Sequence, residues 1–205
     1  NLDIKLDYAQ KLCYAGQFAR SANIYNEALK EDPDDEDALL NQSFNHLQLE
    51  EYKESLKITT KHLKKNPDDL DFLVNHAESL LGLGKFSKAK TAIEKALKSG
   101  GDKDSDNWCI LAEADLGLNN GMAAQQSFRQ ALGLNFKNDR AIEGTVRSNT
   151  VLQALGRVQR GNLIFNIKAK PKYVDAKFMD KSGGKHLIEY KQADRRRLME
   201  WYHTK

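Results

Sequence analysis

The sequence has little cysteine, little proline and no long apolar run. Its 205 residues include 2 cysteines and 3 prolines. Cys13 and Cys109 lack the paired spacing of zinc ligands and stand among apolar residues. We therefore predict buried thiols in a reducing compartment, and a cytoplasmic protein. No apolar stretch reaches the roughly 18 residues that a membrane-spanning helix needs, and so few prolines favour a mainly helical chain.

The sequence also lacks any grouping of residues that suggests catalysis. The histidines have no nucleophile or second metal ligand at a useful spacing, and the carboxylates concentrate at turns and helix starts. We predict packing or surface positions for the 5 histidines, which are His46, His62, His76, His186 and His203. The sequence therefore predicts a protein that is not an enzyme and that needs no cofactor or metal.

Charge is plentiful but unevenly distributed. Charged residues make up 30% of the chain, hydrophobic residues 40%, and the net charge is +3, which is typical of a globular protein. Residues 1–156 hold 19 basic and 24 acidic residues, a net charge of −5, whereas residues 157–205 hold 13 basic and 5 acidic residues, a net charge of +8. We predict two domains, divided between residues 156 and 157.

A repeat of about 34 residues runs through the first part. The stretches DPDDEDALLNQ (32–42) and NPDDLDFLVNH (66–76) share Pro, three Asp, Leu and Asn in the same order. Small residues recur at the eighth and twentieth places of each copy, where they allow two helices to cross closely. The copies begin at Leu2, Glu36, Leu70 and Ser105, with spacings of 34, 34 and 35 residues. Such a period predicts paired helices in a solenoid.

Large aromatic residues also recur near the start of the second helix of the first three copies, at Phe18, Tyr52 and Phe86. With these small and large residues in phase, residues 2–138 resemble the tetratricopeptide repeat (TPR) family. The resemblance implies an all-α, right-handed helical solenoid of four helix pairs. Asp-rich turns would cap the first helix of each pair. We predict a capping helix from Asp139 to Leu155, with Asp139 as its cap and Gly156 as its stop. A small, basic α+β appendage would follow.

Several residues depart from the family pattern. His62 replaces a small residue, and His46 and Asp115 occupy a place that is usually large and apolar. Gly121 stands where an aromatic residue is expected, so we predict a reshaped turn in the fourth repeat. Gly100–Gly101 replaces the proline turn before that repeat, which predicts a looser joint there.

In the resembling family, the first helix of each repeat lines a concave groove that receives a peptide. Its second, fifth, sixth, ninth and twelfth places face the groove. The resemblance therefore implies a peptide-binding set in repeats two and three, namely Asp37, Leu40, Asn41, Phe44, Leu47, Asp71, Val74, Asn75, Glu78 and Leu81.

Each part of this set also has a purely structural interpretation. The second-place aspartates either stabilise helix dipoles or form an acidic row that faces a basic partner. Asn41 and Asn75 either hold the main chain of a partner or are local polar surface. The apolar stripe of Leu40, Phe44 and Leu47 either binds a partner or is covered by the C-terminal segment of this chain.

The sequence pattern of residues 157–205 predicts two or three short antiparallel strands between residues 162 and 190. A terminal helix at residues 193–203 would follow. This segment is either a solvated cationic face or an anion-binding element. Residues 157–190 also resemble, very weakly, part of a PilZ domain, which would imply a degenerate nucleotide-binding relative. The basic patch comprises Arg195, Arg196, Arg197 and Trp201.

The sequence thus predicts a protein–protein interaction adaptor that binds a partner segment, basic in character, in the concave groove. The alternative is an anion- or nucleotide-responsive, or nucleic-acid-binding, adaptor that acts through the basic C-terminal segment. Because no nucleic-acid-binding module is recognisable, nucleic acid is the disfavoured partner. The charge difference also predicts docking of the +8 segment beside the −5 domain, in the same chain or in a second copy.

Overall fold

The computed structural model describes residues 2–154, with side chains through residue 150, and all regular structure in this range is helical. The predicted appendage, the boundary after residue 156, the basic patch and the PilZ-like segment lie outside the described residues. The chain divides into two compact units, Asn1–Lys103 and Asp104–Lys205. This division falls two residues after Gly101, in the inter-repeat turn where glycines replace proline.

Six helices form the described part of the first unit. Each odd-numbered helix packs against the next helix as a hairpin, and the second helix of one hairpin contacts the first helix of the next. The predicted starts at Leu2, Glu36 and Leu70 are confirmed. The helices are α1 (Leu2–Tyr14), α2 (Phe18–Glu31), α3 (Glu36–Gln48), α4 (Tyr52–Lys65), α5 (Leu70–Gly82) and α6 (Phe86–Lys98), followed by a 3-10 turn at Gly101–Lys103.

The described part of the second unit contains three helices that all contact one another. They are α7 (Ser105–Gly117), α8 (Gly121–Leu134) and α9 (Asp139–Ala154). The ring of the fully buried Phe128 lies directly over Gly144, where an added Cβ would come within 2.0 Å of the ring. The predicted capping helix is present, but its cap is Asn138, whose Oδ1 accepts from the Ala141 amide at 3.1 Å, and not Asp139.

The Asp-rich turns cap helices as predicted. Asp35 Oδ1 accepts from the Ala38 amide at 2.8 Å, and Asp69 Oδ1 accepts from the Phe72 amide at 3.2 Å. Each bond satisfies one of the amides that a helix start leaves without an internal partner. The repeated sequence at these turns therefore encodes a repeated helix start.

All four hairpin turns share one backbone geometry, which the sequence did not indicate. At each turn one residue has a positive φ, and the next amide bonds back to the carbonyl five residues earlier, as in a Schellman motif. The fourth turn was predicted to be reshaped, and this prediction is wrong, because Asn119 adopts the same conformation there. The positive-φ residues are Gly16, Glu50, Gly84 and Asn119.

His62, which replaces a small residue of the family pattern, is buried and joins two helices. Its ring stacks on Phe72 with 3.6 Å between centroids and 10° between planes. Its Nε2 lies 2.9 Å from Asp69 Oδ2. The histidine on α4 therefore holds the carboxylate that caps α5.

Candidate partner-binding surface

The first helices of neighbouring hairpins lie side by side in the first unit, since α3 contacts both α1 and α5. Within the predicted peptide-binding set, Asp37, Phe44 and Asp71 are exposed. Five further members of the set are partly exposed, namely Leu40, Asn41, Val74, Glu78 and Leu81. These eight residues of α3 and α5 are called the α3–α5 surface below.

Phe44 is the large apolar residue of this surface. Its side chain is 37% exposed, although a phenyl ring normally gains free energy by burial. One side of the residue is held by Phe18, whose ring meets it edge-on with 6.2 Å between centroids and 75° between planes. Such edge contacts fix an aromatic ring in place. Phe44 is thus an oriented aromatic anchor at the surface.

The side-chain amides of Asn41 and Asn75 are less available to a binding partner than the sequence suggested. Asn75 is only 9% exposed, and its Nδ2 donates to Ser43 Oγ on α3 at 2.8 Å. Asn41 Nδ2 instead donates to the Asp37 carbonyl of its own helix at 2.8 Å. The difference arises because the residue that corresponds to Ser43 in the first repeat is Ala9, which has no hydroxyl. The amide groups of both asparagines are therefore engaged within the chain.

Leu47 lies in the core, at 7% exposure, and is not part of the α3–α5 surface. The stripe predicted from Leu40, Phe44 and Leu47 therefore ends one turn early. Of the three residues of the stripe, Phe44 is exposed and Leu40 is partly exposed.

A buried polar network beneath α3 was not predicted. Asn45 Nδ2 donates to Ser21 Oγ at 2.8 Å, and Ser21 Oγ donates to the Ala9 carbonyl at 2.7 Å. Gln42 Nε2 donates to Asn26 Oδ1 at 3.0 Å. Serine at the eighth and twentieth places, where alanine also fits, was the only sequence signal of such bonds. These bonds join α3 to α2 and, through Ser21, to α1.

Burial shifts the pKa of several titratable side chains in the described part of the chain. Burial lowers the pKa of His76, whose Nδ1 lies 3.0 Å from Thr59 Oγ1. Burial raises the pKa of Cys13 and, to about 12, that of Cys109, so both thiols stay protonated near neutral pH. Both cysteines are buried, as predicted. No cluster of three or more metal-ligating side chains occurs among the described residues.

Comparison with known proteins identifies the repeats. One tetratricopeptide repeat model matches residues 7–69, and a second matches residues 70–99. Residues 7–99 are tetratricopeptide repeats. TPR repeats are typical of protein–protein interaction scaffolds, and the two matches support this class of role. Within the described residues, no helix combines the length and apolarity needed to cross a membrane.

Solved structures share the TPR fold at low sequence identity. MamA from Desulfovibrio magneticus RS-1 is 14% identical, with a TM-score of 0.65 over 76% of this chain and 86% of that one. TTC0263, a thermophilic TPR protein in Thermus thermophilus, is 17% identical, with a TM-score of 0.63 over 94% of this chain and 98% of that one. At this identity the likeness concerns the fold alone. No curated protein matches the sequence.

Proposed function

We propose that this TPR protein is an interaction scaffold that holds a segment of a partner protein against the α3–α5 surface. The observation that carries the proposal is the exposure of Phe44, which is oriented by Phe18 and lies one turn after the partly exposed Leu40 on the same helix. An aromatic residue held in place at low entropic cost is the type of residue that dominates binding energy at protein interfaces. The partner would supply an apolar side chain that covers it.

The charge of the surface specifies the partner further. Asp37 and Asp71 are exposed and lie one repeat apart on α3 and α5. Carboxylates at this spacing favour a partner segment with basic side chains on either side of its apolar anchor. Because Asn75 is bonded to Ser43, side chains of the partner and not its main chain would make the main contacts at that position.

The experiment is affinity capture with the full chain, followed by titration of the captured protein. Phe44→Asp places a charge at the centre of the surface, and Tyr14→Asp makes the same type of change at another exposed aromatic residue, at the end of α1. We expect a captured protein whose affinity falls at least about 30-fold with Phe44→Asp, which corresponds to a loss of about 2 kcal/mol. Tyr14→Asp should leave its affinity unchanged.

Thermal unfolding of each variant separates binding from folding. Tyr14 is 81% exposed, so Tyr14→Asp should keep the wild-type melting temperature. Phe44→Asp also loses the contact with Phe18, so it should lower the melting temperature but leave the protein folded at the temperature of the binding assay. If every captured protein binds Phe44→Asp as tightly as wild type, the α3–α5 surface is not the binding site and the proposal is wrong.

A further inference from the structure

A second surface of the first unit has a different character. A cleft of about 740 Å³ lies beside α4, next to the turn that joins α5 and α6. Among the described residues, its polar lining is mainly cationic. The basic residues are Lys53, Lys57, Lys61, Lys64 and Lys85. Leu56, Thr60 and Leu83 complete the lining, and we call this feature the lysine cleft.

The lysines of α4 form one continuous stripe. Lys53, Lys57, Lys61 and Lys64 recur at intervals of four, four and three residues, which places them on one helix face over about 16 Å. Lys61 has an anionic neighbour, because its Nζ lies 3.5 Å from Asp34 Oδ1. The other three have no ion pair within the described part of the chain, and neither has Lys85. Like charges at this spacing repel one another until an anion binds between them.

The floor of the lysine cleft is partly apolar. Leu56 and Leu83 are partly exposed and come from two different hairpins. A lining of leucine side chains between lysine ammonium groups is complementary to a ligand that carries both carboxylates and aliphatic side chains. A polypeptide segment rich in Glu or Asp, with Leu or Ile in between, has this composition.

We propose that the lysine cleft binds an acidic, leucine-bearing peptide segment of another protein. Carboxylates of the segment pair with Lys53, Lys57 and Lys64, and one or two aliphatic side chains cover Leu56 and Leu83. This site goes beyond the proposed function, because it lies on α4 and the α5–α6 turn, whereas the α3–α5 surface is acidic and takes a basic partner.

Two other occupants fit the lining less well. Single-stranded nucleic acid is normally held by aromatic stacking and by arginine, and the described lining of the cleft contains neither. Residues 157–205 of this chain carry a net charge of +8, so the lysines repel them. An acidic protein segment is therefore the occupant that the charges favour.

The test uses the full chain and a fluorescein-labelled helical peptide of about 15 residues, long enough to cover the stripe. The peptide has Leu at alternating third and fourth positions and Glu at most others. We expect saturable binding that weakens with added salt and that falls at least about tenfold in the double variant Lys57→Glu, Lys64→Glu. The matched double variant Lys88→Glu, Lys98→Glu, at exposed positions of α6, should bind like wild type.

Other outcomes overturn the proposal. They are the absence of saturable binding below about 1 mM, and equal loss of binding in both lysine double variants. Tighter binding of single-stranded oligothymidine than of the peptide, lost in the same variant, would identify a nucleic-acid surface instead. Phe44→Asp should not change peptide affinity. If Phe44→Asp weakens the peptide as much as the lysine-cleft variant does, the peptide lies on the α3–α5 surface and the lysine-cleft proposal is wrong.

Discussion

Glu50 occupies a backbone conformation that suits glycine. Its φ is 59°, and the equivalent residues of the first and third hairpin turns are Gly16 and Gly84, at 72° and 68°. In the left-handed region a Cβ crowds the backbone, at a cost of about 1–2 kcal/mol for residues other than glycine. The second turn therefore keeps the shared geometry against the preference of its own residue, because the packed helices on both sides fix it.

Replacement of Glu50 by Gly should stabilise the protein by about 0.5–1 kcal/mol. Relief of the Cβ contact outweighs the greater freedom that glycine gives the unfolded chain. Urea denaturation measures the change in the free energy of unfolding. The reverse change, Gly84→Glu, is the matched control and should destabilise by a similar amount. A loss of stability with Glu50→Gly would contradict the account of this turn.

Ser43 determines how Asn75 is used. Its hydroxyl accepts from Asn75 Nδ2 and donates to the Leu40 carbonyl at 2.7 Å. Ser43→Ala should reduce the free energy of unfolding by about 1 kcal/mol, because Asn75 loses this bond and is left with the carbonyl four residues earlier, the acceptor that Asn41 uses. Equilibrium urea denaturation provides this measurement.

Asn75→Ala offers a check on that assignment. In the Ser43→Ala background the bond is already absent, so Asn75→Ala should cost less than in the wild type, by the coupling energy of the pair. Equal costs in the two backgrounds would show that the bond contributes nothing to stability.

At the scale of elements, the junction between α4 and α5 contains a side-chain contact that the equivalent junction between α2 and α3 lacks. Asp69 caps α5 and also contacts His62. Asp35 caps α3 in the same way, but the residue that corresponds to His62 is Ala28. We expect Asp69→Ala to cost about 1–3 kcal/mol and Asp35→Ala about 1 kcal/mol.

The additional loss of stability in Asp69→Ala, compared with Asp35→Ala, should come from the lost contact with His62. In a His62→Ala background, Asp69→Ala should cost no more than Asp35→Ala does in the wild type, as thermal or urea unfolding would show. If Asp69→Ala and Asp35→Ala are equally costly from the start, the contact between His62 and Asp69 adds nothing to the helix cap.

The second unit contains ion pairs that acid should weaken. Glu113 on α7 receives two bonds from Arg140, at 3.1 and 2.8 Å, and one from Arg147 at 3.0 Å. Burial by itself raises the pKa of Glu113, but the bonds and charges of the two arginines together outweigh it, so the pKa lies below its usual range. The unfolded chain therefore takes up this proton first as pH falls.

The stabilisation by Glu113 should be complete above the ordinary glutamate pKa of about 4.3 and should disappear as pH falls through the lower pKa of the folded state. At pH 7, Glu113→Gln should cost about 1–3 kcal/mol. The difference in unfolding free energy between wild type and variant should shrink steadily below about pH 4. A difference that stays constant from neutral to acid pH would show that this carboxylate is not the acid-sensitive group.

The helices were predictable, because their signals are local and repeated. Proline and aspartate mark the first two inter-repeat turns, and the starts at Glu36, Leu70 and Ser105 follow from the period alone. The hydrogen bonds of individual side chains were not predictable in the same way. Asn41 and Asn75 occupy the same place in their repeats, yet they bond differently because of residues 32 positions earlier in each case, Ala9 and Ser43.

The candidate site was predictable only in part for the same reason. Periodicity places a residue on a helix face, and so Phe44, Asp37 and Asp71 were assigned correctly to an exposed face. Periodicity does not show how far the neighbouring helix reaches across that face, and therefore Leu47 was assigned to the surface although it is buried. Their role in binding remains a prediction.

At the scale of the whole molecule, charge is separated by surface as well as by sequence. In the first unit, exposed aspartates mark the α3–α5 surface and lysines line the cleft beside α4. The two surfaces favour partners of opposite charge, so a scaffold with both could bind a basic and an acidic segment at once. Charge pairs at exposed sites weaken with salt, whereas apolar contacts to Phe44 do not. Salt should therefore weaken binding at both surfaces, and more steeply at the lysine cleft, because Phe44 adds an apolar contact to the α3–α5 surface that salt does not screen.

Hydroxyl-radical footprinting of Phe44, with and without the captured partner, tests the central claim most directly. Phe44 is exposed in the free chain. Tyr14, which is 81% exposed and lies 30 residues earlier in the sequence, is an internal reference. If the α3–α5 surface holds the partner, the oxidation rate of Phe44 falls severalfold in the complex and that of Tyr14 stays the same. An unchanged oxidation rate at Phe44 in a saturated complex would contradict the claim.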